Sequence, residues 1–424
     1  MHDEILIAGA GIGGLTAALS LHGVGFDVRV FESVPELKML GVGINLLPHA
    51  VRELQELGLR SALESSAAQC RELAYYTKRG QRIWSEPRGL TAGYAWPQFS
   101  IHRGVLHRVL LDAVRERLGA DRVQLGHHLQ RFEPCSGGVA AVFCDRATGA
   151  ELAVARGRAL IAADGIHSAA RRSLFPGEGP PRWNGAVMWR GLVEAAPILD
   201  GHTMVMAGHT RQKFVCYPIG ERARDTERQS INFVAELRYD TTELTDRVDW
   251  NRPGELSDVL PAFESWRFDW LDVPGILRAA KQIWVYPMVD RDPLPRWSHG
   301  PVSLLGDAAH PMYPIGSNGA SQAILDARVL AGCLRHYTTD LARGLQRYEE
   351  IRRPPTAAIV LANREQGPEA AMQLVEDRAP DGFARLEDVV STEELSAIAD
   401  KYKKLAGFAV AELNSRPSLS QPTA

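Results

Sequence analysis

The chain has 424 residues, 45% hydrophobic and 23% charged, an ordinary globular composition in a length too great for one simple core. Its 48 basic and 51 acidic residues leave a net charge of -3, which offers no electrostatic footprint for nucleic acid or an anionic membrane surface, and neither partner is expected. The five cysteines (Cys70, Cys135, Cys144, Cys216, Cys333) are scattered, with no Cys-x-x-Cys pair and no histidine at zinc-finger spacing; this argues against a disulfide framework and against any metal site. The start Met1-His2-Asp3-Glu4 lacks the basic region of a secretory signal, and no run of 18 uncharged apolar residues occurs, so a soluble cytoplasmic protein is expected.

Residues Ile5–Ala8 form a run suited to a buried strand. Gly9-Ala10-Gly11-Ile12-Gly13-Gly14 then turns into a helix whose Leu15, Ala18, Leu19 and Leu21 suit burial, and a second strand, Val28–Phe31, ends at Glu32. This opening predicts a parallel sheet covered by helices. Helices are expected around 50–57 and over 106–118, with a short strand at 122–125. From about 187 to 237 the texture changes: strand-like runs at 186–189, 203–207, 214–219 and 231–235 alternate with Gly- and charge-rich turns, as in an antiparallel sheet. The charged run 221–228 reads as a solvated hairpin loop. Helix returns over 321–337 and 341–353, where Pro354-Pro355 is expected to interrupt or restart it. The last 17 residues, rich in Ser and Pro, read as frayed.

Gly9, Gly11 and Gly14 stand at G-x-G-x-x-G spacing between a strand and a helix. Gly9 permits the tight turn, Gly11 lets a pyrophosphate approach the backbone, and Gly14 allows close helix packing. The helix N-terminus supplies free N–H groups to the phosphates, and Glu32 can accept from the adenosine ribose hydroxyls. The loop alone fits NAD and FAD equally.

Two later segments separate these readings: Ala163-Asp164-Gly165-Ile166-His167-Ser168 after a strand at 159–162, and Gly306-Asp307-Ala308-Ala309-His310 after a strand at 302–305. With the glycine loop, in this order, they make the chain resemble the flavoprotein aromatic hydroxylases of the p-hydroxybenzoate and salicylate hydroxylase type. Stretches at 40–45, Trp84-Ser85-Glu86-Pro87-Arg88-Gly89, 100–104, 286–295 and 318–326 are similar to the phenazine-modifying branch of that family.

The resemblance implies an α/β architecture: a Rossmann-like FAD-binding domain with a parallel sheet (1–75, 98–180 and 281–360) and a substrate-binding domain on a mixed or antiparallel sheet (76–97 and 181–280). A C-terminal helical region (361–424) completes it. It implies FAD as resident cofactor and, since no second G-x-G-x-x-G occurs, NADH or NADPH as a transient reductant. The implied reaction hydroxylates a small aromatic or heteroaromatic acid with O2 through a flavin C4a-hydroperoxide, with or without loss of a carboxylate. The alternatives are an FAD-dependent oxidase or reductase and a non-catalytic flavin-binding protein; a monomer or homodimer is expected.

Site residues follow from the same resemblance. Asp307 would accept from a ribityl hydroxyl, and the N–H groups of Gly316, Asn318, Gly319 and Ala320 would face the N1 and O2 edge of the flavin ring. Arg103 would hold the ribityl-phosphate region, Leu125 the adenine through its main chain, and Asp164 and Arg171 the pyrophosphate side or the nicotinamide cofactor. Gly41 and Gly43 would lie near the ring and lend it freedom to move. Substrate-pocket candidates are His49, Tyr217, Tyr286, Tyr313 and the carbonyl of Pro314; Trp189, Tyr217 and Met288 read first as core residues. His310 reads as a turn stabiliser, and Arg190, Arg211, Lys213 and Arg291 as surface or interdomain charges. No catalytic base is identified.

Overall fold

The computed structural model describes residues 4–38, 41–220, 228–241 and 252–420. Five strands of its first sheet run parallel in the order 302–304, 159–162, 5–8, 28–31, 123–124, and Ser298–His299 adds an antiparallel edge. Ile5–Ala8 and Ala159–Ala162 are buried at every position, because the helix Ile12–Gly23 and a three-stranded antiparallel sheet (128–135, 138–144 and 151–157) both pack against this parallel sheet. The helix Ile12–Gly23 packs between Gly319–His336 and Arg103–Leu118. This packing matches the expected opening unit.

The second sheet has seven strands in the order 283–290, 182–195, 229–238, 212–218, 203–209, 72–76, 82–87. All neighbours are antiparallel except Thr203–His209 with Glu72–Tyr76. Strand alternation sends Phe214 and Cys216 toward the helices Leu256–Phe263 and Val273–Ala279, while Val215 and Tyr217 join the opposite cluster with Met372 and Val375. Hydrogen bonding draws Glu72–Tyr76 and Ile283–Asp290 into this sheet, so it crosses the domain boundaries expected at 75 and 281. The loop expected at 221–228 lies outside the described residues but for Arg228.

Two expectations are corrected. The helix Leu341–Arg364 runs through Pro354 and Pro355 without a break. Buried contacts hold it on both sides of the pair: Tyr348 before, Ile359 and Val360 after, and Arg352 bound to Asp326 and to the Gln322 side chain. Tertiary packing thus outweighs two missing N–H donors. The C-terminal segment, expected to fray, forms the helix Val410–Ser415 and is docked. Phe408 and Leu413 are buried, Arg52 Nη1 donates to the Leu413 carbonyl at 3.3 Å, and Asn414 exchanges hydrogen bonds with Ala95 and Gly93.

Candidate functional site

The glycine loop has the geometry a dinucleotide needs. Gly9 has φ +102°, and a β-carbon there would lie 2.3 Å from the Ala163 carbonyl oxygen. One at Gly14 would lie 2.0 Å from the Gly9 oxygen, whereas one at Gly11 would meet nothing within 4 Å. Gly9 and Gly14 therefore serve close packing, and Gly11 faces open space. Glu32 accepts from the Ala10 N–H at 2.8 Å and from the Val34 N–H at 3.0 Å, which leaves lone pairs free for a sugar. His107 Nε2 lies 2.6 Å from the Ala10 carbonyl; since a carbonyl only accepts, this nitrogen carries the proton. His107 was invisible as a loop support in the sequence, where it is one polar residue on a helix.

Asp164 caps the helix Ala169–Leu174, accepting from the Ala169 and Ala170 N–H groups at 2.7 and 3.3 Å. Its Oδ1 has no hydrogen-bond partner among the described residues. Arg171 points elsewhere. It is buried, donates to the Ala308, Ala309 and Asp292 carbonyls, and pairs with Glu178, so it ties the two motif segments together and does not face a pyrophosphate.

The Gly306–Ala308 turn is organised from below by Asp326. One of its oxygens receives the Gly306 N–H at 3.1 Å and lies 2.5 Å from His310 Nε2; the other receives Arg352 Nε at 2.7 Å. Burial by itself would raise the Asp326 carboxyl, but His310 and Arg352 outweigh it and hold the group below its ordinary range. His310 accordingly works as a structural partner in the turn. Above it Asp307 is exposed, yet so walled in that desolvation raises its carboxyl despite the charges of His310 and Arg103. An exposed carboxylate is suited to accept from a polyol.

Arg103 opens the helix Arg103–Leu118, and its N–H donates to the Val42 carbonyl at 3.0 Å. Its charge acts on both Asp307 and Tyr286, so it stands between the parallel sheet and the seven-stranded one. The segment beside it is held firmly. The Gly43 N–H donates to Asn232 Oδ1 at 2.7 Å, and the Gly43 carbonyl accepts from Arg190 Nη2 at 2.8 Å and Tyr217 Oη at 2.7 Å. A β-carbon at Gly43 would sit 2.7 Å from that of Asn232, so the glycine serves close approach at this point and the expected freedom is confined to Gly41, whose φ is +118°.

The segment at the start of Gly319–His336 is similarly braced. Gly316 has φ +67°, and a β-carbon there would lie 2.2 Å from Tyr402 Oη. Asn318 Nδ2 donates to Tyr402 Oη at 2.9 Å and to the Gly316 carbonyl at 3.1 Å. No side chain caps this helix, and a β-carbon at Gly319 would meet open space, so first-turn N–H groups near Ala320 remain available to a ligand. Tyr402, which also donates to Asn363 Oδ1 at 2.8 Å, was missed in the sequence because nothing marks a tyrosine 84 residues from Asn318 as its partner.

The remaining candidates divide. Tyr217 and Tyr286 lie beside Gly43, with the Arg190 guanidinium 5.7 Å from the Tyr286 ring centroid. Burial pushes the Tyr217 phenol up to about 12, so it remains a donor at neutral pH. Tyr313 packs with Met188 and Met288, its carbonyl accepting from Asn363 Nδ2 at 3.1 Å, and the exposed Pro314 accepts from the Ser317 N–H at 3.2 Å. His49 is fully buried and stacked on Phe408 at 5.3 Å. Burial first, then Arg416 and Arg352, keep it well below the ordinary imidazole range and therefore neutral. Trp189 belongs to the far-face core. Leu125 follows the strand Val123–Gln124, and His127 Nδ1 lies 2.7 Å from its carbonyl.

A glycine loop opening onto empty space, an acid beside it, an exposed Asp307 and an uncapped helix N-terminus fit a dinucleotide-binding flavoprotein class. A family model described as FAD binding domain matches residues 3–363. The chain is 46% identical to a phenazine 1,6-dicarboxylic acid hydroxylase of Lysobacter antibioticus, over 95% of this chain and 97% of that one. It is 33% identical to a 3-amino-4-hydroxybenzoate 2-monooxygenase of Streptomyces platensis, over 97% and 98%. A salicylate hydroxylase substrate complex shares the fold with a TM-score of 0.74 at 22% identity, covering 100% of this chain and 99% of that one. HpxO of Klebsiella pneumoniae, complexed with FAD and uric acid, has a TM-score of 0.71 at 26% identity, covering 95% and 92%. The chain belongs to the FAD-binding family of flavoprotein aromatic hydroxylases.

Proposed function

We propose that this enzyme hydroxylates a polycyclic heteroaromatic carboxylic acid of the phenazine carboxylate kind, using FAD, O2 and NADH or NADPH. The observation that carries the reading is the meeting of two walls at Gly41–Gly43: the Asp307 and Arg103 side of the parallel sheet, and the Arg190, Tyr217 and Tyr286 face of the seven-stranded sheet. Similarity along nearly the whole chain to a hydroxylase named for a phenazine dicarboxylic acid supports the substrate class.

In this reading the loop that Gly9 and Gly14 shape and Gly11 opens holds the diphosphate, with Glu32 and Asp164 toward the ribose and diphosphate, Leu125 holds the adenine through its main chain, and Arg103 and Asp307 hold the ribityl chain. The N–H groups of Gly316, Asn318, Gly319 and Ala320 present the positive end of an 18-residue helix to the ring edge. FAD, when bound, supplies the redox and oxygen-transfer chemistry. The chain's own contribution is to orient an aromatic ring, exclude water and keep Gly43 fixed through Arg190 and Tyr217. The protein is read as acting on its own or as a homodimer in the cytoplasm; among the described residues no helix is long and apolar enough to cross a membrane, and no cluster of three or more His, Cys, Asp or Glu side chains is placed to hold a metal ion.

The test couples NAD(P)H oxidation to product mass with phenazine, quinoline and hydroxybenzoate acids. An added oxygen atom, or a carboxylate exchanged for hydroxyl, is expected with the first group. Complete conversion of O2 to hydrogen peroxide with every acid would overturn the reading in favour of an oxidase.

A further inference from the structure

The bend that leads into the helix Gly319–His336 has a backbone its sequence does not favour. Gly316 and Ser317 are successive residues in the left-handed region, with φ +67° and +56°. Glycine enters that region freely, but a serine is disfavoured there and stays only where its surroundings hold it.

What holds the bend is a buried chain of side chains whose donors all point one way. Arg352 Nη2 donates to Gln322 Oε1 at 2.6 Å, Gln322 Nε2 to Asn318 Oδ1 at 3.2 Å, and Asn318 Nδ2 to Tyr402 Oη at 2.9 Å. Tyr402 Oη donates in turn to Asn363 Oδ1 at 2.8 Å, and Asn363 Nδ2 to the Tyr313 carbonyl at 3.1 Å. A guanidinium only donates and a backbone carbonyl only accepts, so the three amides and the phenol between these ends have one consistent orientation. Asn318 Nδ2 also donates to the Gly316 carbonyl at 3.1 Å, which ties both sides of the bend, Tyr313 and Gly316, to one hydroxyl. The far end reaches the other motif segment: Arg352 Nε donates to Asp326, whose second oxygen receives the Gly306 N–H.

Tyr402, from the helix Thr392–Leu405, is the link between Asn318 at the start of one helix and Asn363 near the end of Leu341–Arg364. Its side chain also fills the space that Gly316 and Gly367 leave, since a β-carbon on either would lie 2.2 or 2.9 Å from it. Burial, the larger effect, raises the phenol although the hydrogen bond from Asn318 opposes it, so the hydroxyl keeps the proton it donates.

We propose that Tyr402 is a positioning residue for the flavin, its hydroxyl locking the Tyr313–Asn318 bend and so aiming the N–H groups at the start of Gly319–His336 toward the ring edge. Those groups favour the negative charge that collects there on reduction, so the lock acts on reduced FAD more than on oxidised FAD. The inference rests on the reading of Gly316–Ala320 as ring-facing and names the residue that sets its geometry.

The test uses FAD-loaded enzyme without substrate and reads the flavin midpoint potential by dye-coupled reduction, beside the Kd for oxidised FAD and the apo melting temperature. Tyr402→Phe keeps the ring between the two glycines and removes the hydroxyl alone. It is expected to weaken reduced FAD about tenfold more than oxidised FAD, which places the midpoint of the two-electron couple about 30 mV lower. Val375→Ala truncates a fully buried residue of the C-terminal region in a cluster that does not include Tyr402; as the stability control it should leave the midpoint where it is. A wild-type midpoint in Tyr402→Phe overturns the proposal, and so does an equal shift in Val375→Ala, which would make the effect one of stability. If Tyr402→Phe does not fold, Asn363→Ala removes the acceptor of the same hydroxyl and decides by the same midpoint. Ala320→Pro removes one of the N–H groups read as ring-facing, in a first helical turn where proline is tolerated. A midpoint indifferent to both Ala320→Pro and Tyr402→Phe removes the ring-facing reading and the inference together, whereas a response to Ala320→Pro alone removes the inference and leaves that reading standing.

Discussion

A β-carbon at Gly11 would enter open space, while those at Gly9 and Gly14 would strike backbone. Gly11→Val should therefore leave the apo fold intact and abolish FAD retention; the ratio of flavin to protein absorbance after purification, beside apo melting temperature, checks both halves. Asp307 separates binding from folding in another way. Its raised carboxyl means that its stabilising contribution is present below the ordinary carboxylate range and lost as pH rises through the higher folded value. At neutral pH the ionised group opposes folding, so Asp307→Asn should match or exceed the wild-type apo melting temperature. Its FAD Kd should nevertheless rise about tenfold or more, through loss of a charge-assisted acceptor. A collapse of apo stability would instead make Asp307 a capping residue.

At the level of elements, Val410–Ser415 is the clearest test of packing against composition. Leu413 is fully buried among Tyr94, Ile359 and Phe408. Leu413→Ala should cost about 2–5 kcal/mol in denaturant unfolding, the range for truncating a buried leucine, whereas a frayed end would show no change. The same packing carries Leu341–Arg364 across its two prolines, since Arg352 and Tyr348 are anchored on one side and Ile359 on the other. Residue preferences in these segments pointed to coil and to a break; contacts with distant parts of the chain overrode them.

Across the whole molecule, the buried Lys213 joins the seven-stranded sheet, through Glu236 at 2.9 Å, to the C-terminal region, through Glu369 at 2.5 Å. Burial by itself would lower the Lys213 ammonium, but the two carboxylates overcome this and raise it. Lys213→Met would leave two buried acids facing each other and should destabilise by about 3–5 kcal/mol, measured by urea unfolding. The glycine loop and the Asp164 and Asp307 segments were legible in the sequence, because each depends on residues close together in the chain whose spacing sets their chemistry, and so was the run of strands between 186 and 235; that Glu72–Tyr76 and Ile283–Asp290 join their sheet was not. Asp326 beneath the Gly306–Ala308 turn and Tyr402 against Gly316 were not legible either. Their partners lie 16 and 84 residues away. The sequence by itself thus determined the cofactor class and the Gly-rich turns. Only the tertiary structure decided which charges are spent on one another, because that balance depends on distances between elements that no local spacing encodes.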